Sequence, residues 1–193
     1  SVSERGLGKY LAHGYLPGEH SIYREVRKLS AGAGLSVDVR SLEVSRSKYW
    51  TYKIEPDDSR TETDWVESVR GLLEEAVRKR LVSDVPLGVF LSGGLDSTAV
   101  ALFAAKHLKQ NRLRSFSVGF EDPTFDETPY ALEAARLLGT EHKVTVFDGE
   151  KLRSILSGFY AALDEPLSDS SLMSYYVLCE FAKNDITVAL GGD

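Results

Sequence analysis

The sequence predicts an α/β fold: a parallel, doubly wound sheet with helices on both faces, preceded by a smaller segment that carries a β-hairpin. Three observations predict it. From Thr63 onward, short apolar runs alternate with stretches of helical periodicity, the pattern of strands buried on both faces. Two glycine-rich turns follow such runs, one after Leu91 and one after Leu190. Ahead of them, residues 1–56 differ in texture and lead into the polar stretch Glu55-Pro56-Asp57-Asp58-Ser59-Arg60.

Residues 4–13 read as a short helix broken by Gly14 and Pro17-Gly18. After the turn-rich stretch 30–34, Leu35, Val37, Val39, Leu42 and Val44 alternate as strands with a break at Ser41, a hairpin closing at Tyr49-Trp50. Trp65, Val66, Val69, Leu72, Leu73, Ala76, Val77 and Leu81 recur at helical spacing, with Asp64 and Glu67 as a capping-box start. Residues 87–91 make a strand, and Ala99, Val100, Phe103, Ala104 and Leu108 mark the next helix. Residues 114–120 are a second strand. Thr128-Pro129 opens a helix that Gly139 closes. Residues 143–147 form a third strand and 186–190 a fourth, separated by helices around 152–159 and 172–182. Right-handed crossovers place every strand's carboxyl end on one sheet edge, so both glycine turns should open onto the same crevice.

The 193 residues include 23 Lys and Arg against 29 Asp and Glu, a net charge of −6, with 42% hydrophobic residues. That is globular composition, and its acidity argues against a nucleic-acid or anionic-membrane partner. Apolar runs fall far short of the ~20 residues needed to cross a bilayer. The first ten residues lack the apolar core of a signal peptide. The single cysteine, Cys179, fits a reducing compartment. A soluble, cytoplasmic protein is expected.

Chemistry concentrates in Leu91-Ser92-Gly93-Gly94-Leu95-Asp96-Ser97, between a strand and a helix. Bare glycines admit a ligand close to the backbone, serines add hydroxyls, and the helix start offers unpaired N–H groups. This is an anion site sized for phosphate. No Gly-Lys-Ser/Thr follows, so it is not a Walker A loop. A carboxylate at Asp96 would repel phosphate unless Mg²⁺ lay between them. The plainer reading is a tight turn with Asp96 or Ser97 as N-cap; the string from Ser92 to Ser97 in this context favours the phosphate site.

Ser92-Gly-Gly-Leu-Asp-Ser97 is similar to the pyrophosphate-binding loop of the ATP pyrophosphatase enzymes. The segments 82–91, 115–120 and Leu138-Gly-Thr-Glu-His142 narrow the resemblance, as do Phe125-Asp-Glu127, Asp164-Glu-Pro166 with Asp169-Ser-Ser171, and 188–193. Together they resemble asparagine synthetase of the glutamine-hydrolysing type. Gly14-Tyr-Leu-Pro17, Ile22-Tyr23, Arg27-Lys-Leu29 and Tyr49-Trp50 resemble the segment that joins its amidotransferase and synthetase domains. The resemblance implies a truncated sheet of the ATP pyrophosphatase (adenine nucleotide alpha hydrolase-like) type. Residues 1–56 would be a linker after an absent glutamine amidotransferase domain, and 57–193 the N-terminal part of the synthetase domain.

It further implies that ATP adenylates the side-chain carboxylate of aspartate with loss of pyrophosphate, and that ammonia from a glutaminase domain then displaces AMP. Leu91, Val118 and Gly191-Gly192 would hold the nucleotide; Ser92, Gly93, Gly94 and Ser97 would cradle pyrophosphate; Asp96 would bind Mg²⁺. Apart from the resemblance, Val118-Gly119 ends the second strand beside the loop and offers backbone groups for adenine. Asp193 matches the first acidic position of a loop linked to adenylate formation. The sequence departs from the family in carrying Gly191 where many members have Ser. A second metal-binding Asp and a lysine would lie beyond Asp193, so residues 1–193 alone are expected not to form amides. An oligomer is compatible with all of this.

Asp169 and Ser170 read either as a cap on the following helix or, by the resemblance, as contacts to the amino-acid substrate. Asp126-Glu127 carries the same ambiguity. Cys179 reads as a small core residue. Arg78-Lys79-Arg80 reads as a solvated helix end. His13, His20, His107 and His142 lack metal-ligand spacing. Two other readings stand beside the leading one: a relative that adenylates a different acceptor, closing β-lactams or cyclising peptides, and a degenerate nucleotide-binding module.

Overall fold

A computed structural model describes residues 1–108 and 112–192. The chain divides into two units, residues 1–58 with 161–169, and residues 59–160 with 170–193.

In the first unit, helix α1 (Glu4–His13) starts at Ser3, whose hydroxyl accepts from the Gly6 amide, and ends at left-handed Gly14 (φ 76°). Strands β1 (Ala33–Val37) and β2 (Val44–Lys48) form the expected antiparallel hairpin. Its turn is tied by Asp38 Oδ1, which accepts from the amides of Arg40 and Ser41 at 2.9 and 2.7 Å. The hairpin's apolar residues Leu35, Val37, Val39, Leu42 and Val44 are all exposed. Residues 161–169 join this unit through local bonds: Ser168 N donates to Gly14 O at 2.7 Å, and Lys28 Nζ donates to Leu16 O and to Glu165.

The second unit holds α2 (Glu62–Arg80), β3 (Leu87–Phe90), α3 (Leu95–His107), β4 (Arg114–Phe120), α4 (Thr128–Leu138), β5 (Glu141–Phe147), α5 (Gly149–Ala162) up to Tyr160, α6 (Ser171–Ala182) and β6 (Val188–Leu190). The capping box of α2 is formed by Thr61 and Asp64 rather than by Asp64 and Glu67. The Thr61 hydroxyl accepts from the Asp64 amide and the Asp64 carboxylate accepts from the Thr61 amide, so the helix begins two residues before the expected cap.

The sheet is parallel throughout, in the order β5-β4-β3-β6. It meets the expected class, an α/β fold on a doubly wound parallel sheet. Alternate side chains feed two cores. Val89 and Leu91 pack with Val77, Ala101, Ala104 and Ala131 from α2, α3 and α4. Phe116, with Phe90 and Val118, packs with Leu178 and Ala182 of α6 on the other face. Strands β3, β4 and β5 advance one way, and the chain then returns to place β6 on the far side of β3. The sheet's switch point therefore lies between β3 and β6, where ligands of open α/β sheets bind beyond the strands' carboxyl ends.

Cys179 is exposed, not a core residue. The buried positions of α6 are Val177, Leu178 and Ala182, and Cys179 falls off that stripe into a surface groove beside Phe90 and Tyr175. No helix among the described residues is long and apolar enough to cross a membrane.

Candidate active site

A cleft of about 690 Å³ opens at the carboxyl edge of the sheet, and both glycine turns line it. Leu91 continues β3 by one bond, its amide donating to Phe116 O at 2.9 Å, and the chain then turns through Ser92 to Ser97 into α3. Gly93 makes the turn with φ 84°, and a β-carbon there would lie 2.5 Å from Tyr130 Cβ and 2.6 Å from Ala131 N. Only glycine satisfies both the dihedral and the space.

The N-cap of α3 is Gly94, which supplies no side-chain cap; neither Asp96 nor Ser97 plays that part. The first amides of α3, those of Leu95, Asp96 and Ser97, have no intrahelical partner and lie at the positive end of the helix dipole. The loop holds its own shape. Ser92 N donates to Ser97 Oγ at 3.2 Å, the two hydroxyls are 2.9 Å apart, and Gly94 N donates to Ser92 Oγ at 3.2 Å. These bonds tie the turn to its own serines.

Gly191 and Gly192 follow β6 and lie against this helix start. A β-carbon on Gly192 would meet Ser97 N at 2.3 Å and the Asp96 carbonyl carbon at 2.7 Å. Two turns far apart in sequence are thereby joined in one site, as the strand pattern anticipates.

Leu91, Ser92, Gly94, Asp96, Ser97, Val118, Ser170, Gly191 and Gly192 all line the cleft. Gly93 and Gly119 are not among the lining residues. The constraint on Gly119 comes from α4, since a β-carbon there would meet Thr128 Cγ2 at 2.8 Å and Asp126 Oδ1 at 3.1 Å. Asp169 falls with the first unit, and Asp193 lies outside the described residues. Ser170 is the N-cap of α6, makes no side-chain cap bond and lines the cleft.

The pair Asp126-Glu127 divides its two readings. Asp126 is structural: its carboxylate accepts from the Thr128 hydroxyl at 2.8 Å and from the amides of Thr128 and Phe120, tying the end of β4 to the start of α4. The Thr128 hydroxyl and amide hold its carboxyl below the usual range. Glu127 lines the cleft.

Sequence reasoning missed the aromatic part of the site. Phe120 and Phe147 end β4 and β5, stack edge to face at 5.9 Å and line the cleft with Phe125. Ser117, Ser174 and Tyr175 were missed as well. The available signal was that Phe120 and Phe147 are the last residues of neighbouring strands.

Electrostatics define what the cleft can hold. Its described lining carries the carboxylates Asp96 and Glu127 and no Lys or Arg. A polyphosphate would therefore be met by amides, hydroxyls and the α3 dipole, with a divalent cation between it and Asp96. No group of three or more His, Cys, Asp or Glu that could hold a metal occurs among the described residues. One carboxylate fits Mg²⁺ carried in by phosphate, because Mg²⁺ takes one or two carboxylates plus phosphate oxygens and keeps several waters.

The family model described as asparagine synthase matches residues 68–193. A Methanocaldococcus jannaschii protein provisionally named as an asparagine synthetase [glutamine-hydrolyzing] is 33% identical across the whole of this chain, which covers 37% of that protein. Asparagine synthetase [glutamine-hydrolyzing] 1 of Bacillus subtilis is 30% identical, again across all of this chain and 30% of its own length. The chain thus spans about a third of the length of these relatives. Among solved structures, the NH3-dependent NAD synthetase from Campylobacter jejuni aligns with TM-score 0.45 at 18% identity, over 66% of this chain and 56% of that one.

Proposed function

This chain belongs to the asparagine synthase family, and from that premise we propose that its cleft binds ATP with Mg²⁺ and adenylates the side-chain carboxylate of aspartate. The observation that carries the reading is the internally bonded loop from Ser92 to Ser97, whose helix start lines the switch-point crevice with Gly192 packed against it.

In this reading the amides of Leu95, Asp96 and Ser97 and the hydroxyls of Ser92 and Ser97 grip the β- and γ-phosphates, leaving the α-phosphorus toward the open cleft. Mg²⁺, when bound, neutralises phosphate charge beside Asp96. A carboxylate oxygen of aspartate attacks the α-phosphorus, and the bond to the bridging oxygen breaks with its electrons going to pyrophosphate. The loop stabilises that leaving group by fixed donors that need no rearrangement. Ammonia then attacks the acyl carbon, AMP departs with the C–O electrons, and a proton is lost to give the amide. Val118 and the aromatic residues Phe120, Phe125 and Phe147 offer the nucleoside an apolar wall; Ser170 faces the acceptor. Asp193 is assigned to adenylate formation and Asp169 to the substrate on the strength of the resemblance.

Residues 1–56 are assigned to the linker from a glutaminase domain that supplies the ammonia, residues 57–193 to the synthetase domain, and the whole to the cytoplasm. The exposed apolar residues of the hairpin support a neighbour there.

Aspartate-dependent ATP–pyrophosphate exchange in the full-length protein tests the proposal. Asp96→Ala should lower exchange about 10²- to 10³-fold, the usual cost of losing one charge-stabilising group, while glutamine hydrolysis is unchanged. Full exchange in a folded Asp96→Ala protein would remove the role given to that carboxylate.

A further inference from the structure

Behind the phosphate loop a polar thread crosses the sheet. Strand β4 carries Ser115 and Ser117 on the same side as Val89 and Leu91 of β3, and both serines are buried. Central strands of parallel sheets covered on both faces ordinarily present apolar side chains there. Register sets Ser115 opposite His142 of β5. Ser115 Oγ lies 2.7 Å from Thr140 Oγ1 and 2.8 Å from His142 Nδ1. His142 Nε2 lies 3.3 Å from Ser117 Oγ, and the Ser117 hydroxyl donates to the Leu91 carbonyl.

Two facts set the protons in this thread: its last link and the burial of the histidine ring. A carbonyl only accepts, so Ser117 spends its one proton on Leu91 and can only accept from the histidine. His142 Nε2 therefore carries the hydrogen. Burial lowers the pKa of the ring, which is held neutral, so Nδ1 is bare and accepts from Ser115. The Ser115 oxygen then accepts from Thr140. Each hydroxyl donates once, and no buried polar group in the thread is left unpaired.

The thread is not needed to hold the strands together. Strands β4 and β5 pair continuously from Arg114–Glu141 to Phe120–Phe147, and the Leu91 amide already reaches Phe116 O. Among the described residues the Leu91 carbonyl has no backbone donor, and it immediately precedes Ser92. We propose that His142 is a positioning residue for the nucleotide: its Nε2–H orients Ser117, whose hydroxyl pins the Leu91 carbonyl and so fixes where the Ser92–Ser97 loop begins. The proposal rests on the ATP reading above and adds a residue that does not line the cleft.

The test uses the full-length protein with ¹⁵N-labelled histidine and the variants His142→Gln, His142→Asn and Ser117→Ala. A glutamine amide reaches the place of Nε2 and can still donate to Ser117; an asparagine amide falls on the Nδ1 side and cannot. The expected wild-type signature is the Nε2–H tautomer. His142→Asn should raise KM for ATP about fivefold, one neutral hydrogen bond's worth, with kcat within about twofold; Ser117→Ala should raise KM at least as much, and His142→Gln should return KM to within about twofold of wild type. Thermal midpoints of the three variants check folding. The Nδ1–H tautomer, or Gln and Asn variants with equal KM, would overturn the positioning role. Failure of the ATP reading looks different: the wild type would show no exchange at all while its tautomer still reported on the thread.

Discussion

Exchanging Gly93 and Gly94 one at a time for alanine should separate what the fold needs from what the phosphate needs. At Gly93 the dihedral φ 84° and the 2.5 Å approach to Tyr130 Cβ act together. The left-handed conformation costs a residue with a β-carbon roughly 1–2 kcal/mol. Forcing a methyl into packed backbone adds roughly 1–3 kcal/mol. Retreat is blocked, because the atoms it would meet belong to the first turn of α4, whose start Asp126 ties to β4. Gly93→Ala should thus lose about 2–5 kcal/mol, a large share of the 5–15 kcal/mol typical of a domain.

Gly94 is the contrast. Its φ is −67°, and the nearest atom to a new β-carbon is Ser92 Oγ at 3.2 Å, on a short side chain that can turn. Gly94→Ala should stay within about 1 kcal/mol of wild type in stability. Its methyl projects from a cleft-lining residue, so the loss should appear instead as a rise of about tenfold or more in KM for ATP, the scale on which small misplacements act. Urea denaturation reads the first effect and ATP–pyrophosphate exchange the second. The reasoning fails if Gly93→Ala is as stable as wild type, or if both variants lose stability equally.

Two further outcomes concern the scaffold. Thr61→Ala removes the cap of α2 and should cost about 1 kcal/mol in stability; because α2 supplies no lining residue of the cleft, KM for ATP should not move, and a changed KM would contradict that separation. Asp126 has a folded pKa below its unfolded one, so its stabilisation is complete above about pH 4 and is lost as pH falls through the lowered value. Asp126→Asn should therefore flatten acid unfolding in that window, and coincident acid curves for the two proteins would show that the hydrogen bonds from Thr128 to Asp126 contribute nothing.

Much of the sheet was legible because its punctuation is local. Pro129 at the start of α4 and left-handed Gly139 at its end are readable from the residues alone, and β4 occupies the strand anticipated at 114–120. Where the sequence offered two local solutions, stereochemistry chose. The Thr61 hydroxyl accepts from the Asp64 amide and the Asp64 carboxylate from the Thr61 amide, so Asp64 is engaged inside the first turn as N3 and does not cap with Glu67. Non-local facts were invisible. Nothing near residues 161–169 announces that Ser168 will bond Gly14 or that Glu165 will meet Lys28. Cys179 misled because apolar neighbours on a helix do not say which way a given residue points.

The site divides along the same line, and the division explains which residues do which work. The placement of the glycines and serines of the 92–97 loop at the cleft could be read because they lie in one short string and the strand order fixes where that string ends. Reversal of the sheet between β3 and β6 then requires that Gly191-Gly192 arrive beside it, whatever their distance in sequence. The residues that escaped reading, Phe120 with Phe147 and Ser117 with His142, acquire meaning only through the register of β4 against β5. A one-residue slip would turn Phe147 away from Phe120 and His142 away from Ser115, removing the aromatic contact at the cleft and the thread behind the loop at a single stroke. The loop's own string would survive that slip intact. What the β4–β5 register adds is therefore the Phe120–Phe147 pair at the cleft and, in the reading proposed above, the pin that fixes where the loop begins.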